Sequence, residues 1–181
     1  MATETRATIE DLARVEGRAE LVDGRIVHMP PVGDAPSRGA GKIYASLLEH
    51  ERRTRSGRAY TGSVGYRVHL PHRESFSPDA SWYTGPPAGM KFLEGAPDFA
   101  AEVRSENDYG PAAVEAMRRK RADYFAAGTK VVWDVDLLSA DVVRVYRAND
   151  PAQPAIYRRG EVAEDEPAVP GWRMPVDDLF D

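Results

Sequence analysis

The chain has 181 residues, of which 42% are hydrophobic and 29% charged, and its 24 Lys and Arg against 29 Asp and Glu give a formal net charge of −5. This length and composition exclude a disordered chain and predict one domain, residues 1–181, around one core. The acidic balance excludes a uniformly basic nucleic-acid-binding surface, so any contact with phosphates must be local. Cysteine is absent, which excludes disulfides, thiolate metal sites and cysteine nucleophiles.

No apolar run approaches the ~20 residues of a membrane-spanning helix. Residues 1–6 also lack the apolar core of a signal peptide. We therefore expect a cytoplasmic protein with no membrane partner.

The first third of the chain predicts a short helix, a β-hairpin and a long helix. Thr8 is a hydroxyl cap followed by two acidic residues, which is typical of a helix start. Residues 20–29 form two apolar runs around Asp23-Gly24, a dipeptide that favours the positive φ of a tight hairpin turn. From residue 37 to residue 55 apolar side chains recur at helical spacing, which indicates an amphipathic helix.

The rest of the chain predicts mainly strands and one further helix. Alternation indicates a strand, or a bent strand with glycines at bulges, over residues 58–70. Short apolar runs indicate further strands over residues 77–83, 98–103, 131–135 and 141–147. Residues 84–97 are rich in Gly and Pro and predict a loop. A helix is expected from Pro111 to Ala127, because Gly128 is typical of a left-handed helix cap. One or two short strands follow within residues 155–181, and this order indicates an α/β or α+β domain with a mixed sheet.

Acidic side chains near strand ends single out a candidate site. Strands disfavour Asp and Glu, and a buried carboxylate is costly without a cation, so such acids suggest a function. Asp98 and Glu102 lie roughly 13 Å apart along one strand at about 3.3 Å per residue, too far to share one ion. If the strands of Asp79 and Glu102 are neighbours about 4.8 Å apart, both carboxylates can hold one Mg²⁺. Ion pairs with arginines are the alternative interpretation.

Two basic residues accompany these acids. Arg104 lies two residues after Glu102, so strand alternation places both on one face. In the second long helix, we expect a buried stripe of Val114, Met117, Tyr124 and Phe125. Lys120 lies beside this stripe, from where its ammonium group can reach the metal site. The alternative is that residues 118–121, RRKR, form a solvated basic face, although one helix cannot place all four on the same side.

The motifs that carry a family resemblance span nearly the whole chain in order: residues 20–27 (ELVDGRIV), Asp79, residues 102–105 (EVRS), residues 120–124 (KRADY), residues 128–136 (GTKVVWDVD), residues 170–172 (PGW), Leu179 and Phe180. In this succession the chain resembles the Uma-two family of putative restriction endonucleases, in the PD-(D/E)xK nuclease superfamily. The resemblance implies a restriction-endonuclease-like fold, which is a mixed β-sheet flanked by helices, here with an N-terminal β-hairpin. It also implies a Mg²⁺-dependent phosphodiesterase site.

The resemblance assigns roles residue by residue. Asp79 and Glu102 match the metal-binding acids, with Val103 as a further metal ligand. Lys120 takes the place of the motif lysine, moved from the strand to the following helix. Arg104 occupies the strand position of that lysine, so Arg104, Lys120 or both supply the catalytic cation. Glu20 matches an early glutamate and is a further catalytic candidate.

We therefore expect an endonuclease that hydrolyses DNA phosphodiester bonds with Mg²⁺, or with Mn²⁺ in its place. Contact with DNA is expected to be weak and metal-dependent, and a homodimer is expected for cutting two strands. Local arginine patches would supply this contact, namely Arg52–Arg55, Arg118 with Arg119, and Arg158 with Arg159. The alternative is a catalytically inactive nuclease-fold protein that acts as a dimeric nucleic-acid-binding or protein-interaction module, which Arg104 and the acidic balance favour.

Overall fold

The computed structural model describes residues 5–180. The helices are α1 (Ile9–Leu12), α2 (Asp34–Thr54), α3 (Pro111–Ala127) and a final 3-10 helix (Val176–Leu179). The strands are β1 (Ala19–Val22), β2 (Arg25–His28), β3 (Arg58–Thr61), β4 (Tyr66–Leu70), β5 (Arg73–Phe76), β6 (Ala80–Tyr83), β7 (Leu93–Glu94), β8 (Phe99–Val103), β9 (Val131–Val135), β10 (Val143–Arg147), β11 (Asp150–Tyr157), β12 (Val162–Glu164) and β13 (Arg173–Pro175).

The strands of residues 5–180 form two larger sheets and one small sheet. The order is β11-β10-β9-β8-β6-β3 in the first, β2-β1-β5-β4-β7 in the second and β12-β13 in the third. The pairs β8–β9 and β4–β7 are parallel, whereas the other described pairs are antiparallel. Both larger sheets are therefore mixed, as the sequence predicts.

The sequence predicts one strand over residues 58–70, and this prediction is wrong. The stretch contains β3 and β4, which belong to different sheets and are separated by Gly62 to Gly65. A Cβ atom at Gly65 would lie 2.9 Å from the ring of Phe92, so glycine allows the close approach of Phe92 between the two strands. The predicted loop over residues 84–97 likewise contains the two-residue strand β7, paired with β4.

The local signals of the first third are confirmed. Thr8 and Asp11 form a capping box at the start of α1. Asp23 and Gly24 have φ values of 54° and 71° in the hairpin turn between β1 and β2. The long helix α2 begins at Asp34, three residues earlier than predicted, and ends at Thr54. None of the described helices is both long and apolar enough to cross a membrane.

Alternation along β8 distributes side chains between two cores. Phe99, Ala101 and Val103 pack with α2 in one hydrophobic cluster, which also holds the stacked rings of Trp133 and Trp172. Ala100 packs on the opposite face, in the cluster that contains Tyr124 of α3. Because side chains alternate, Glu102 lies on the face of Ala100, toward α3.

Helix α3 buries less apolar surface than the sequence predicts. Tyr124 is fully buried and stacks on Phe76 with ring centroids 4.0 Å apart, as expected of the stripe. Val114, however, is 46% exposed, so the predicted stripe is wrong at this residue. The reason is that none of residues 111–117 belongs to a hydrophobic cluster of the described residues, whereas Tyr124, Phe125 and Ala127 do.

Asp165 is fully buried beside the tryptophan-rich core, and neither of its carboxyl oxygens has a hydrogen-bond partner among the described residues. Burial raises the pKa of this carboxyl well above its ordinary value. The folded protein therefore keeps a proton that the unfolded chain releases. The cost to the free energy of unfolding grows as pH rises from the ordinary pKa of Asp toward the raised pKa of Asp165. We expect Asp165→Asn to raise the free energy of unfolding by about 1–3 kcal/mol at pH 8, and by less at pH 4.

Thermal and urea melts of both proteins between these pH values measure the difference. A gain that is the same at both pH values would show that Asp165 is not protonated in the folded state.

Candidate active site

A cavity of about 490 Å³ lies between α3, the carboxyl end of β8 and the connection from β2 to α2. It is lined at one end by Asp79, Glu102, Lys120, Arg18 and Arg73. These five residues come from five separate segments of the chain and converge on one concave surface, which is typical of a binding site.

Antiparallel pairing of β6 with β8 brings the two predicted metal-binding acids together. Ala80 is the register partner of Ala101, so Asp79, just before β6, lies opposite Glu102. The Asp79 amide donates a 3.0 Å hydrogen bond to the Ala101 carbonyl oxygen, and Asp79 Oδ2 accepts a 2.7 Å bond from Val103 N–H. The predicted neighbour relation of these strands is confirmed. Asp98 lies at the other end of β8, where its Oδ1 is 2.9 Å from Lys130 Nζ.

Lys120 joins two of the acids. Its Nζ lies 2.8 Å from Glu102 Oε1 and 2.9 Å from Glu20 Oε1. Tyr124 is four residues further along α3, hence on the same side, and its hydroxyl donates a 2.6 Å hydrogen bond to Glu102 Oε1. The described contacts of Glu102 thus fall on Oε1, and its Oε2 is not used in them.

Glu20 enters from the second sheet, on β1, and is almost fully buried. Its Oε2 accepts from Arg73 Nη1 at 2.7 Å, and its Oε1 accepts from the Ser77 amide at 2.8 Å. Arg73 is fixed in turn by Asp123, whose Oδ2 lies 2.9 Å from Arg73 Nε. A continuous chain of ion pairs therefore runs from Asp123 through Arg73, Glu20 and Lys120 to the site.

These contacts shift the pKa values of the acids in opposite directions. Burial disfavours ionisation of Glu20, but Lys120 and Arg73 outweigh it and lower the pKa of Glu20. Burial raises the pKa of Glu102, and the neighbouring carboxylates of Asp79 and Glu20 raise it further against the effect of Lys120. Burial opposes the charge of Lys120, yet Glu102 and Glu20 raise its pKa, so the ammonium stays protonated. Glu102 is thus the acid at which negative charge is least compensated.

Arg18 is a functional candidate that the sequence reasoning missed. Its Nη1 lies 2.7 Å from Asp79 Oδ1, its Nε donates to Ser77 Oγ at 3.2 Å, and its Nη2 donates to the Ser77 carbonyl oxygen. Three carboxylates and three cations therefore lie together, all of them lining the cavity except the buried Glu20: Glu20, Asp79, Glu102, Arg18, Arg73 and Lys120. The formal charges of these six residues sum to zero, and Asp123, which is paired with Arg73, adds one negative charge.

Arg104 lines the same cavity but has different partners. Its Nε and Nη2 form a forked ion pair with Asp134, at 2.8 and 2.7 Å, and its Nη1 lies 3.7 Å from Asp136. Hydrogen bonding to Asp134 raises the pKa of Arg104 above its ordinary value. Of the two predicted cations, Lys120 is the one that contacts Glu102.

Within the basic run of residues 118–121, two side chains are exposed to solvent and two line the cavity. Arg118 and Arg119 are exposed and pair with Glu115, so the solvated interpretation holds for these two. Arg121 lies 3.7 Å from the centroid of the Tyr146 ring. In the other predicted patches, Arg158 pairs with Asp141 and Arg159 with Asp177, while Arg53 contacts His50.

Within residues 5–180 no group of three or more His, Cys, Asp or Glu side chains is arranged to hold a metal ion. Mg²⁺ does not require one, because it commonly uses one or two carboxylates and completes its shell with water and substrate oxygens. Asp79 and Glu102 line the cavity and supply carboxylate oxygens of that kind, and Val103 lines it beside them. The raised pKa of Glu102, caused partly by Asp79, is relieved when a cation binds between carboxylates. The residues therefore fit a hard divalent cation.

The comparisons with known proteins agree on the class of protein. The chain is similar to the crystal structure of a putative nuclease belonging to DUF820 from Anabaena variabilis ATCC 29413, with a TM-score of 0.73 and 20% sequence identity. The match covers 96% of this chain and 97% of that one, and it identifies a restriction-endonuclease-like fold, as the sequence predicts. Comparison with curated proteins finds no match.

A family model described as Uma2, putative restriction endonuclease, matches residues 7–177. The chain belongs to this family, which the sequence motifs predict.

Proposed function

We propose that this protein is a Mg²⁺-dependent endonuclease that hydrolyses DNA phosphodiester bonds at the cavity lined by Asp79, Glu102 and Lys120. The observation that carries the proposal is the contact of Lys120 Nζ with Glu102, 2.8 Å, on the strand whose neighbour brings Asp79 to the same place. Two acids and one lysine held together in this way form the residue set that metal-dependent phosphodiester hydrolysis needs.

Asp79, Glu102 and the Val103 carbonyl would hold the cation. When bound, Mg²⁺ polarises a phosphoryl oxygen and lowers the pKa of a coordinated water. Mn²⁺ is expected to substitute, because it accepts the same oxygen ligands.

Lys120 then stabilises the charge that develops on the phosphoryl oxygens. Its ammonium group is already protonated and oriented by two carboxylates, so it needs no reorganisation during the reaction. Glu20 acts as a positioning residue, because it fixes Lys120 and is itself fixed by Arg73. Tyr124 holds Glu102 through its hydroxyl hydrogen bond.

Charge balance explains why DNA contact should depend on the metal. The three acids and three cations of the site cancel and Asp123 adds one negative charge behind Arg73, so the bare site offers no net attraction to a phosphate. A bound divalent ion adds two positive charges there. We infer weak DNA binding in its absence and stronger binding in its presence.

A second candidate is a catalytically inactive nuclease-fold protein that binds nucleic acid or protein as a dimer. It is favoured by the ion pair of Arg18 with Asp79, which neutralises that acid without any metal. The homodimer and the cytoplasmic location inferred from the sequence stay predictions.

Cleavage of supercoiled plasmid separates the two candidates. The wild-type protein should nick DNA in Mg²⁺ or Mn²⁺ and stop in excess EDTA, whereas Glu102→Gln, purified in the same way, should not nick it. Glu102→Gln keeps the size and shape of the side chain, so its fold is expected to survive. Equal nicking by both proteins, or a wild type that cleaves neither plasmid nor single-stranded DNA, would contradict the endonuclease proposal.

Arg104→Met tests which cation acts at the site. We expect a loss of about 3 kcal/mol in the free energy of unfolding, because Asp134 and Asp136 lose their buried partner. Cleavage at low temperature should stay within about tenfold of the wild type, because Arg104 does not contact Glu102 in the structure. Urea unfolding and plasmid nicking measure the two effects. A variant that is stable but inactive would make Arg104 the catalytic cation instead of Lys120.

A further inference from the structure

Part of the cavity lining outside the charged cluster is apolar, beside the polar residues Ser105, Asn107 and Asp108. Met29, Pro30 and Val32 line it from the connection between β2 and α2, and Ala113, Ala116 and Met117 line it from α3. Val32 is 43% exposed and follows two prolines, so this wall is presented to solvent by a stiff segment. The endonuclease chemistry proposed above assigns no role to these side chains.

Helix α3 connects this apolar wall directly to the charged cluster. Ala113, Met117, Lys120 and Tyr124 recur at intervals of three or four residues, hence on one side of the helix. Ala113 and Lys120 are about 10 Å apart along the helix axis, at about 1.5 Å per residue. A phosphate held at Lys120 would therefore place the group attached to it against Met117 and Ala113.

We propose that the apolar wall is a subsite for an unpaired nucleobase next to the scissile phosphate, so that the substrate is single-stranded or locally unpaired DNA. The proposal rests on the proposed function of the same cavity. An unpaired base offers an apolar face that packs on such a wall, whereas the bases of an intact duplex are stacked and paired inside the helix. Methionine suits this role because its side chain adapts to bases of different shape.

The size of the cavity fits this occupant. Its volume of about 490 Å³ lies within the roughly 300–1,000 Å³ of sites that enclose small molecules. It can therefore enclose a nucleotide, but not the full width of a double helix.

The distribution of charge gives an independent reason. Tight binding of duplex DNA depends on many cations that neutralise successive phosphates. Here Arg118, Arg119, Arg158 and Arg159 are each paired with an acid, and the chain carries a net charge of −5. Recognition of a single base in a pocket needs no such track of cations.

Fluorescence anisotropy with labelled DNA tests the subsite. The probes are a 12-nucleotide single strand and its duplex, in Ca²⁺, which takes the same oxygen ligands as Mg²⁺. We expect the wild type to bind the single strand at least about tenfold more tightly than the duplex, and Met117→Asp or Val32→Asp to remove this preference. Met90→Asp is the matched control, because Met90 is fully exposed and does not line the cavity.

The outcomes separate this inference from the proposed function. Equal binding of single strand and duplex, or a preference that survives both cavity variants, overturns the subsite even if the protein cleaves both DNAs in Mg²⁺. A preference lost in the cavity variants and kept in Met90→Asp supports the subsite, even if no DNA is cleaved and the endonuclease proposal fails. Val32→Asp keeps the test decisive if Met117→Asp does not fold, because Val32 is 43% exposed.

Discussion

Lys120→Met should abolish DNA cleavage and lower the free energy of unfolding by about 3 kcal/mol at neutral pH, a typical cost of breaking a buried ion pair. Lys120 is the shared partner of Glu20 and Glu102, at 2.9 and 2.8 Å, so its removal leaves two carboxylates less compensated. Glu20 keeps Arg73, which limits the loss. Urea unfolding and plasmid nicking measure the two effects.

The stability loss of Lys120→Met should depend on pH. The pKa of Glu102 is already raised by burial and by its acidic neighbours, and without Lys120 it rises further. The folded variant then holds a proton that the unfolded chain releases, so its stability is highest below the ordinary pKa of Glu and falls as pH rises. We expect a smaller loss near pH 5 than near pH 8.

Lys130→Met is the matched control for Lys120. Lys130 pairs with Asp98 at 2.9 Å, but it is half exposed and lies at the other end of β8. We expect a stability change below about 1 kcal/mol and unchanged cleavage. If Lys120→Met were as stable and as active as this control, Lys120 would have no part in the site.

Asp79→Asn has the second large expected effect. The substitution removes one charge from the donor set while retaining a side-chain oxygen for the Val103 amide. Cleavage should fall at least about 100-fold, because the charge stabilisation of the reaction is lost. Stability should fall by only about 1–2 kcal/mol, because Arg18 keeps its hydrogen bonds to Ser77.

Initial rates of nicking, together with thermal melts, measure these two changes. Asp98→Asn is the control with the same chemical change on the strand that carries Glu102, and its cleavage should match that of the wild type. If Asp98→Asn were as damaging as Asp79→Asn, the effect would come from the sheet and not from the site.

The proximity of Asp79 to Glu102 could be predicted from the sequence for a physical reason. Strand alternation and the rise per residue exclude the pair Asp98–Glu102 and leave the neighbouring strand as the source of the second acid. The structure has this pairing, and Asp98 contacts Lys130 instead. Lys120 follows from helical spacing, whereas Glu20 follows only from the family resemblance.

Arg18 and Arg73 could not be predicted in the same way. Their partners Asp79 and Glu20 lie 61 and 53 residues away in the chain. No local pattern distinguishes these two arginines, because ion pairs across such distances depend on tertiary structure: Arg73 meets Glu20 through the pairing of β5 with β1, and Arg18 meets Asp79 next to the other sheet. For the same reason alternation places Arg104 on the face of Glu102 but does not reveal that Asp134, on the parallel strand β9, binds it.

The division of the strands into two larger sheets could not be predicted from the sequence either. Residues 58–70 alternate as one strand would, and alternation does not report where hydrogen-bonded partners change. The close approach of Phe92 to Gly65, between β3 and β4, is a tertiary contact that no local pattern reveals. The hairpin, α2 and α3 were predictable because their caps and turns are local.

The central claim is that Asp79 and Glu102 hold a divalent cation beside Lys120. Calorimetric titration of Mn²⁺ into the wild type, Asp79→Asn and Arg104→Met tests it without depending on a DNA substrate. We expect binding to the wild type and to Arg104→Met, and affinity at least about 100-fold weaker in Asp79→Asn. A wild type that binds no metal, or an Asp79→Asn variant that binds it equally well, would contradict the account.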